Sequence, residues 1–411
     1  MLKPASTLLA LAALCTPLLR SQESTSGFSM PVTISAGAMY TQRLQLADPN
    51  DSAGSAGLRF MLYPTLQFGP HWFAYAAAQI RLSPYFYYDA YDADHEWYSD
   101  LIQAYIGYSQ RWEKTSLVIK AGRLSSAFGS FPLRYDDAQN PLLDQPLSYI
   151  QTLTLRADGL PCGVKSLVMQ GYGYAFNSCG GVGGPSEGLT PVTLYGLPGI
   201  EAELSSHRLD ARLQITSGSP GSPQGWDRAG QYAQWTAGGG YTIRQGIRVG
   251  ISGFRGPYLD PSVAALLPVG TGVRSFPASG LGIDAQWAHG RFSATAEWQR
   301  FWYDSPNFTV APSVQSTYGE VKAVLTPRLF VAGRAGWLNS GGARDNQGVS
   351  VSQFAPNLAS YELGAGFWLN RHQLVKTSYE WLDIQGFPGN RLNVLGVQLV
   401  TSFRPIDWAF H

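Results

Sequence analysis

The sequence predicts an all-β protein: one transmembrane antiparallel β-barrel of about sixteen strands, with short turns at one end and long loops at the other. Three observations carry that expectation. Apolar and polar residues alternate with period two along most of the 411 residues. Short turns and long excursions alternate between the strand-like runs, and Trp and Tyr gather near the run ends, as interfacial girdles do.

The chain opens with one lysine, an apolar run from Leu8 to about Leu19 and then small polar residues. That is the layout of a secretory signal, too short for a spanning helix. It is placed at 1–21, with cleavage between 15 and 26; residues 22–411 then form a single domain. Cys15 follows Leu14, whereas lipidation wants a small residue before the cysteine. No later apolar stretch is long enough for a transmembrane helix. Charged residues make up only 14% and the formal net charge is +1, which excludes a nucleic-acid surface.

The strands read one after another by the same rule. In GLRFMLYPTLQFG, Leu58, Phe60, Leu62, Leu66 and Phe68 oppose Arg59, Tyr63, Thr65 and Gln67. In RLDARLQIT, Leu209, Ala211, Leu213 and Ile215 oppose Arg208, Asp210, Arg212, Gln214 and Thr216. Phe292, Ala294, Ala296 and Trp298 oppose Ser293, Thr295, Glu297 and Gln299, Val321 and Ala323 oppose Glu320 and Lys322, and Leu395, Val397, Leu399 and Phe403 oppose Gln398 and Ser402. Soluble sandwiches alternate too, but these runs reach the roughly 9–11 residues that a tilted strand needs to cross a bilayer.

Seven tight connections separate the runs: 69–71, 113–115, 205–207, 244–246, 289–290, 326–328 and 370–372. They alternate with eight excursions: 47–55, 89–96, 125–191, 218–229, 257–279, 304–314, 340–358 and 384–391. Fifteen connections join sixteen strands, with both termini on the short-turn side. An extra hairpin from 150–156 and 166–176 would make eighteen.

A lumen this wide holds water unless it is plugged. Arg59, Arg81, Lys120, Arg208, Asp210, Arg212, Glu297, Glu320, Lys322, Lys376 and Glu380 are the expected wall charges. The longest excursion, 125–191, opens with AGRLSSAFGSFPLRYDDAQNPLLDQPLSY (121–149). It is expected to fold inward as a constriction, with Arg123, Arg134, Asp136, Asp137 and Asp144 at the aperture. Its cysteines, Cys162 and Cys179, are the expected disulfide.

Chemistry finds little purchase. His71, His207, His289 and His372 sit in or beside tight turns, without a paired serine, so an enzyme is not expected. The acidic loop at 89–100 lacks the calcium-hand ladder; it would gather Ca²⁺ or Mg²⁺ loosely, and no other cofactor is expected. GGVGG (180–184) follows no strand and opens no helix, so it is no nucleotide fingerprint.

KAGRLSSAFGSF (120–131) and the closing runs LVKTSYEWLDI and NVLGVQLVTSF resemble a Gram-negative outer-membrane porin, most like the phosphate-selective O/P type. In that family a strand ending in a basic residue and a Phe-Gly turn leads into the constriction loop; here Ala127 stands where proline is frequent, and a lysine-rich ladder is missing. The resemblance implies an integral outer-membrane protein, passive diffusion of small hydrophilic solutes and homotrimers. The last amphipathic strand resembles the signal read by the barrel-assembly machinery, although the chain continues past Phe403 to His411. Basic residues slightly ahead on the wall suggest a weak anion preference. A substrate-specific channel and a barrel scaffold for a protein partner are the alternative readings.

Overall fold

The computed structural model describes residues 26–42, 53–82, 85, 97–134, 136–172, 178–181, 188–193, 195–219, 222–223, 233–385 and 391–410. The expected signal segment, and the acidic loop apart from 97–100, lie outside the described residues.

Sixteen antiparallel strands close into one barrel. The first eight are β1 (Ser26–Gln42), β2 (Gly54–Leu62, continued as Thr65–Phe68), β3 (Trp72–Leu82), β4 (Trp97–Trp112), β5 (Thr115–Ser125), β6 (Tyr195–Ser206), β7 (Leu209–Ser219) and β8 (Ala233–Arg244). The rest are β9 (Ile247–Pro257), β10 (Pro277–His289), β11 (Phe292–Tyr303), β12 (Ser313–Val324), β13 (Leu329–Ser340), β14 (Leu358–Trp368), β15 (Gln373–Ile384) and β16 (Arg391–Phe410). Each pairs with its neighbour in sequence, and β1 returns to β16 from Ser26↔Phe410 to Gln42↔Asn393. Closure leaves the barrel without a free edge.

Two prolines interrupt this regularity. Pro64 lacks an N–H and breaks β2, while the β1–β16 register shifts between Met30 and Val32, at Pro31. The break is not orphaned, because the Tyr63 N–H donates to the Pro31 carbonyl (3.0 Å) and the Ala76 N–H to the Pro64 carbonyl (2.9 Å).

The strand period sorts the faces in the sense opposite to a soluble sheet. On β7 Leu213 is 50% exposed while its neighbour Gln214 is 0% exposed. Ile251, Ile283, Val321, Leu363 and Val397 likewise face outward, and Glu297, Glu320 and Gln398 inward. Such a surface matches a bilayer, and its aromatics form two belts: Trp72, Trp112 and Trp287 near the short turns, Trp97, Trp235, Trp337 and Trp381 toward the long loops.

The connection after β5 fills the upper lumen. Pairing ends at Ser125 and resumes at Tyr195, so the loop spans 126–194 and not 125–191. Its segments are a 3₁₀ turn (Phe131–Arg134), helices α1 (Leu147–Ile150) and α2 (Val164–Gly171), and a small hairpin pairing Gly159–Pro161 with Ser178–Gly181. The extra-hairpin alternative is thereby corrected, since Ser166 lies inside α2. A short apolar run does not by itself distinguish strand from helix. The helix is set by its N-terminus, where the Ser166 hydroxyl accepts from the Gly163 N–H (3.2 Å) and Asp345 accepts from the Val164 N–H (3.0 Å).

Phe128, Phe131, Tyr149 and Leu167 of this loop join Val263 and Leu267 of loop 258–276 and Phe354 of loop 341–357 in one buried apolar cluster. The hydrophobic core thus lies inside the barrel.

A bilayer around the outer face makes charge costly by depth. Ile283→Arg, mid-strand on β10, is expected to lose about 2–4 kcal/mol in urea unfolding from vesicles, and Leu209→Arg beside a short turn about 0–1 kcal/mol. Equal losses at both positions would remove the bilayer from this account.

Candidate functional site

The central feature is the fastening of residues 126–149 to the wall. The loop leaves β5 and crosses to β7, where the Ala127 N–H donates to Gln214 Oε1 at 3.3 Å. The Gly129 N–H then donates to Ser252 of β9 (3.1 Å), and the Ser130 N–H to Glu297 of β11 (3.2 Å). Gly129 has a φ of +77°, and a Cβ there would collide with the Tyr149 hydroxyl, so the turn demands glycine. Tyr149 returns to the same place and donates to Glu297 at 3.0 Å.

Beyond that point the contacts become ionic. Arg134 pairs with Glu320 of β12 at 2.5 Å, and Arg334 of β13 pairs with Glu320 (2.7 Å) and with Glu362 of β14 (3.4 Å). Arg334 also donates to the Asp144 carbonyl (2.8 Å) and to Asn140 Oδ1 (3.1 Å). Lys376 of β15, 1% exposed, places its ammonium under three loop carbonyls: Asp137 (2.7 Å), Asn140 (3.1 Å) and Leu142 (3.1 Å). Further round the wall, past β16 and β1, Arg59 of β2 pairs with Asp137 at 3.1 Å, Tyr85 donates to Asp137 at 3.0 Å, and Tyr63, released by the β2 break, donates to Asp136.

This clasp contains four cations (Arg59, Arg134, Arg334, Lys376) and six carboxyls (Asp136, Asp137, Asp144, Glu320, Glu362, Glu380). All six cannot be ionised together away from water. The loop acids divide accordingly. Burial raises Asp137, but Arg59 and Lys376 outweigh it and hold the group below the usual carboxylate range. Burial pushes Asp136 up, with the charge of Asp137 adding to it. Burial pushes Asp144 well up, helped by the facing Glu380 and Glu362. Asp144, Glu362 and Glu380 adjoin a partly open pocket of about 30 Å³, roughly the room for one water.

The strands from β3 to β10 carry a second set of charges. Lys120 of β5 pairs with Glu201 (3.1 Å) and Glu203 (2.7 Å) of β6. Arg248 of β9 bridges Asp210 of β7 (2.6 Å) and Asp284 of β10 (2.8 Å). Arg212 reaches the Gly129 carbonyl (3.2 Å), and the Arg81 guanidinium lies 5.5 Å from the Tyr98 ring centroid. Part of this set stays wetter than the clasp acids: the side chains of Glu203 and Asp210 are 20% and 32% exposed, while Glu201 and Asp284 are buried.

Most of the expected wall residues thus face inward, but one placement differs. Arg208 lies on the short-turn rim, exposed, its guanidinium donating to the Ile243 carbonyl (3.3 Å), because β7 begins only at Leu209. Lys322 points inward near the same end, 4.1 Å from the Phe330 ring centroid. Among the expected constriction residues, Arg123 is one step out of phase with Lys120 and lies against Gly196 of β6. The other four do gather, yet Asp136, Asp137 and Asp144 are buried against the wall and do not face an aperture. Sequence reasoning missed Arg334 and Glu362. Both obey the strand period, but Arg334 shares its face with Phe330, Ala332 and Leu338, which hid the polar side.

No family model matches the chain, and no curated protein matches it. Solved structures do match. OmpF of Salmonella typhi in complex with daunomycin aligns over 92% of this chain and 97% of its own, with a TM-score of 0.55 at 11% identity. In-vitro folded OmpT, an outer membrane protein of Vibrio cholerae, covers 94% and 100% (TM-score 0.52, 9% identity). An anion-selective porin from Comamonas acidovorans covers 92% and 100% (TM-score 0.52, 10% identity). The chain has the fold of these barrels.

Because Asp136 and Asp144 have raised pKa values in the folded loop, their contribution is complete below the ordinary carboxylate pKa. It is lost as pH rises through the raised values. Raising the pH above the ordinary carboxylate range is therefore expected to loosen the loop, seen as faster limited proteolysis within 126–194. Asp144→Asn, which cannot ionise, is expected to flatten that pH dependence, and an unchanged profile would remove Asp144 from the clasp.

Proposed function

We propose that the protein is a passive, water-filled channel of the bacterial outer membrane for small hydrophilic solutes and ions. The carrying observation is the division of the lumen. The loop meets β7 and β9 through residues 127–129 and is clasped to β1 (Thr33 to Asp136, 3.4 Å), β2 and β11–β15 beyond them, which leaves charged, partly wet groups on β3–β10 inside a barrel whose outer face is apolar. Charges toward a lumen are harmless only where water follows them. The barrels sharing this fold include proteins described as porins and as outer-membrane proteins.

Selectivity follows from the wall. Arg81, Lys120, Arg212 and Arg248 stand against Glu201, Glu203, Asp210 and Asp284. With Asp100 of β4, which accepts from Gln79 Nε2 at 2.8 Å, four cations stand against five carboxylates among the described residues and give a near-neutral path with weak ion preference. The phosphate-selective kinship rests on KAGRLSSAFGSF, and its Lys120 is already neutralised by two glutamates, so phosphate preference is not part of the proposal. The apolar packing of three loops in the mouth favours a second reading, a channel that selects one solute class. Concentration-dependent block of current by that solute would mark it.

OmpT of Vibrio cholerae is described in a trimer form, and we extend trimers to this chain on the shared fold. Cys162 and Cys179 are proposed to form the disulfide. The pairing of Pro161 with Ser178 brings the neighbouring backbone together, while the Cys179 side chain lies outside the described residues.

Purified protein in planar bilayers is expected to give discrete conductance steps with a small reversal potential under a salt gradient. Lys120→Gln unbalances Glu201 and Glu203 and should move that potential toward cations. Absence of discrete steps would overturn the channel, and an unmoved potential would place Lys120 off the ion path. Cys162→Ser should remove a bridge worth about 3 kcal/mol in the chain-entropy model, read as a lost mobility difference between reduced and unreduced protein. Identical mobilities in the parent chain would exclude the bridge.

A further inference from the structure

The short-turn rim carries a charge that the channel does not use. Lys114, Arg208, Arg244, Arg291, Arg328 and Arg371 stand on six of the seven short turns or at their edges, all exposed. Arg111 and Arg404 add two more, while the exposed acids there are Glu113 and Asp407, the latter paired with Arg404 at 3.2 Å. Eight cations minus two acids leave this rim at +6 among the described residues, against +1 for the whole chain. The excess is concentrated at one end of the barrel.

One place on the rim is shaped as well as charged. The turns 325–328 and 369–372 are joined by the Trp368 N–H donating to the Arg328 carbonyl (2.8 Å). Between them opens a hollow of about 360 Å³ lined by Pro327, Arg328, Trp368, Asn370 and Arg371. Asn370 is occupied in the turn, its Oδ1 accepting from His372 N (2.8 Å) and Gln373 N (3.1 Å). The guanidiniums of Arg328 and Arg371 make no ion pair among the described residues; Arg371 donates only its Nε, to His372 Nε2 at 2.8 Å, which leaves its two terminal nitrogens for a ligand. Immediately outside, Leu325, Phe367 and Leu369 present exposed apolar side chains on the outer face.

We propose that this hollow seats the phosphate of an anionic phospholipid from the leaflet at the short-turn end. Two guanidinium forks match phosphate oxygens, and the acyl chains continue over Leu325, Phe367 and Leu369. Charge complementarity selects this occupant: a basic rim at headgroup depth attracts anionic lipid, and an apolar strand surface below accepts only chains. The site rests on the barrel being embedded in a membrane, as proposed above.

The test uses the full protein reconstituted in vesicles of phosphatidylcholine with phosphatidylglycerol, extracted mildly and weighed by native mass spectrometry. The parent chain is expected to retain phosphatidylglycerol over phosphatidylcholine. Arg328→Gln with Arg371→Gln should weaken that retention roughly thirtyfold, with conductance unchanged. Equal retention of both lipids by the parent chain, with conductance intact, would overturn the lipid site and leave the channel standing. Loss of conductance steps in the parent chain would instead strike the channel. Displacement of the retained lipid by millimolar inorganic phosphate would overturn the lipid assignment in favour of a free-anion site.

Discussion

The interior of this barrel depends on one constraint: an antiparallel strand facing lipid on one side must place every charge it carries on the other. Lys376, Arg334 and Arg59 have no outward option, so they arrive in the lumen with ammonium and guanidinium groups that demand partners. The loop after β5 supplies them as carbonyls and carboxylates. The ammonium of Lys376 under the carbonyls of Asp137, Asn140 and Leu142 shows the logic most directly, because it fixes backbone and does not depend on a flexible acidic side chain. Breaking such a buried arrangement from one side costs on the order of 3–5 kcal/mol, since the other side is left unsatisfied.

The same constraint explains how the loop is held without a conventional core beneath it. A sheet face given over to lipid cannot contribute apolar side chains inward except at positions of inward phase. Phe254, Phe301, Tyr318 and Leu338 occupy such positions, and with Phe128, Phe131 and Tyr149 of the loop they form the apolar cluster. Phe128 meets Phe254 edge-on at 5.1 Å and Phe301 at 5.8 Å. The ionic clasp and the aromatic packing lie along one loop, so the position of the loop is over-determined.

How much of this was legible in the sequence follows from the same geometry. The barrel, its sixteen strands and the alternation of turns and loops could be read because period two is a local property, repeated at Leu213 and Gln214 as at Val321 and Glu320. Membership of the loop in the lumen could be read from its length and position. The partners could not. Arg334 is a lone charge on an inward face shared with Phe330 and Leu338, and nothing local says that it will meet Asp144, 190 residues earlier. Arg123 misled for the opposite reason: its charge suggested a pore, while its phase relative to Lys120 placed it against Gly196. Asp136, Asp137 and Asp144 were legible as important, but burial turned them from an aperture lining into fasteners.

That exchange bears on what sets the permeation path. A loop whose charges are spent on the wall has little field left to project across an opening, so in the proposed channel ion preference passes to the charges of β3–β10. There Lys120 lies between Glu201 and Glu203, and Arg248 between Asp210 and Asp284, each cation flanked by two acids. Arg212 lies within Coulombic reach of Glu203 and Asp284 and ties the two groups together. In the proposed channel the loop therefore sets how much of the lumen stays open, and the β3–β10 wall sets which charge moves through it. Two tasks that a single constriction would combine are carried by different residues, which respond to different substitutions.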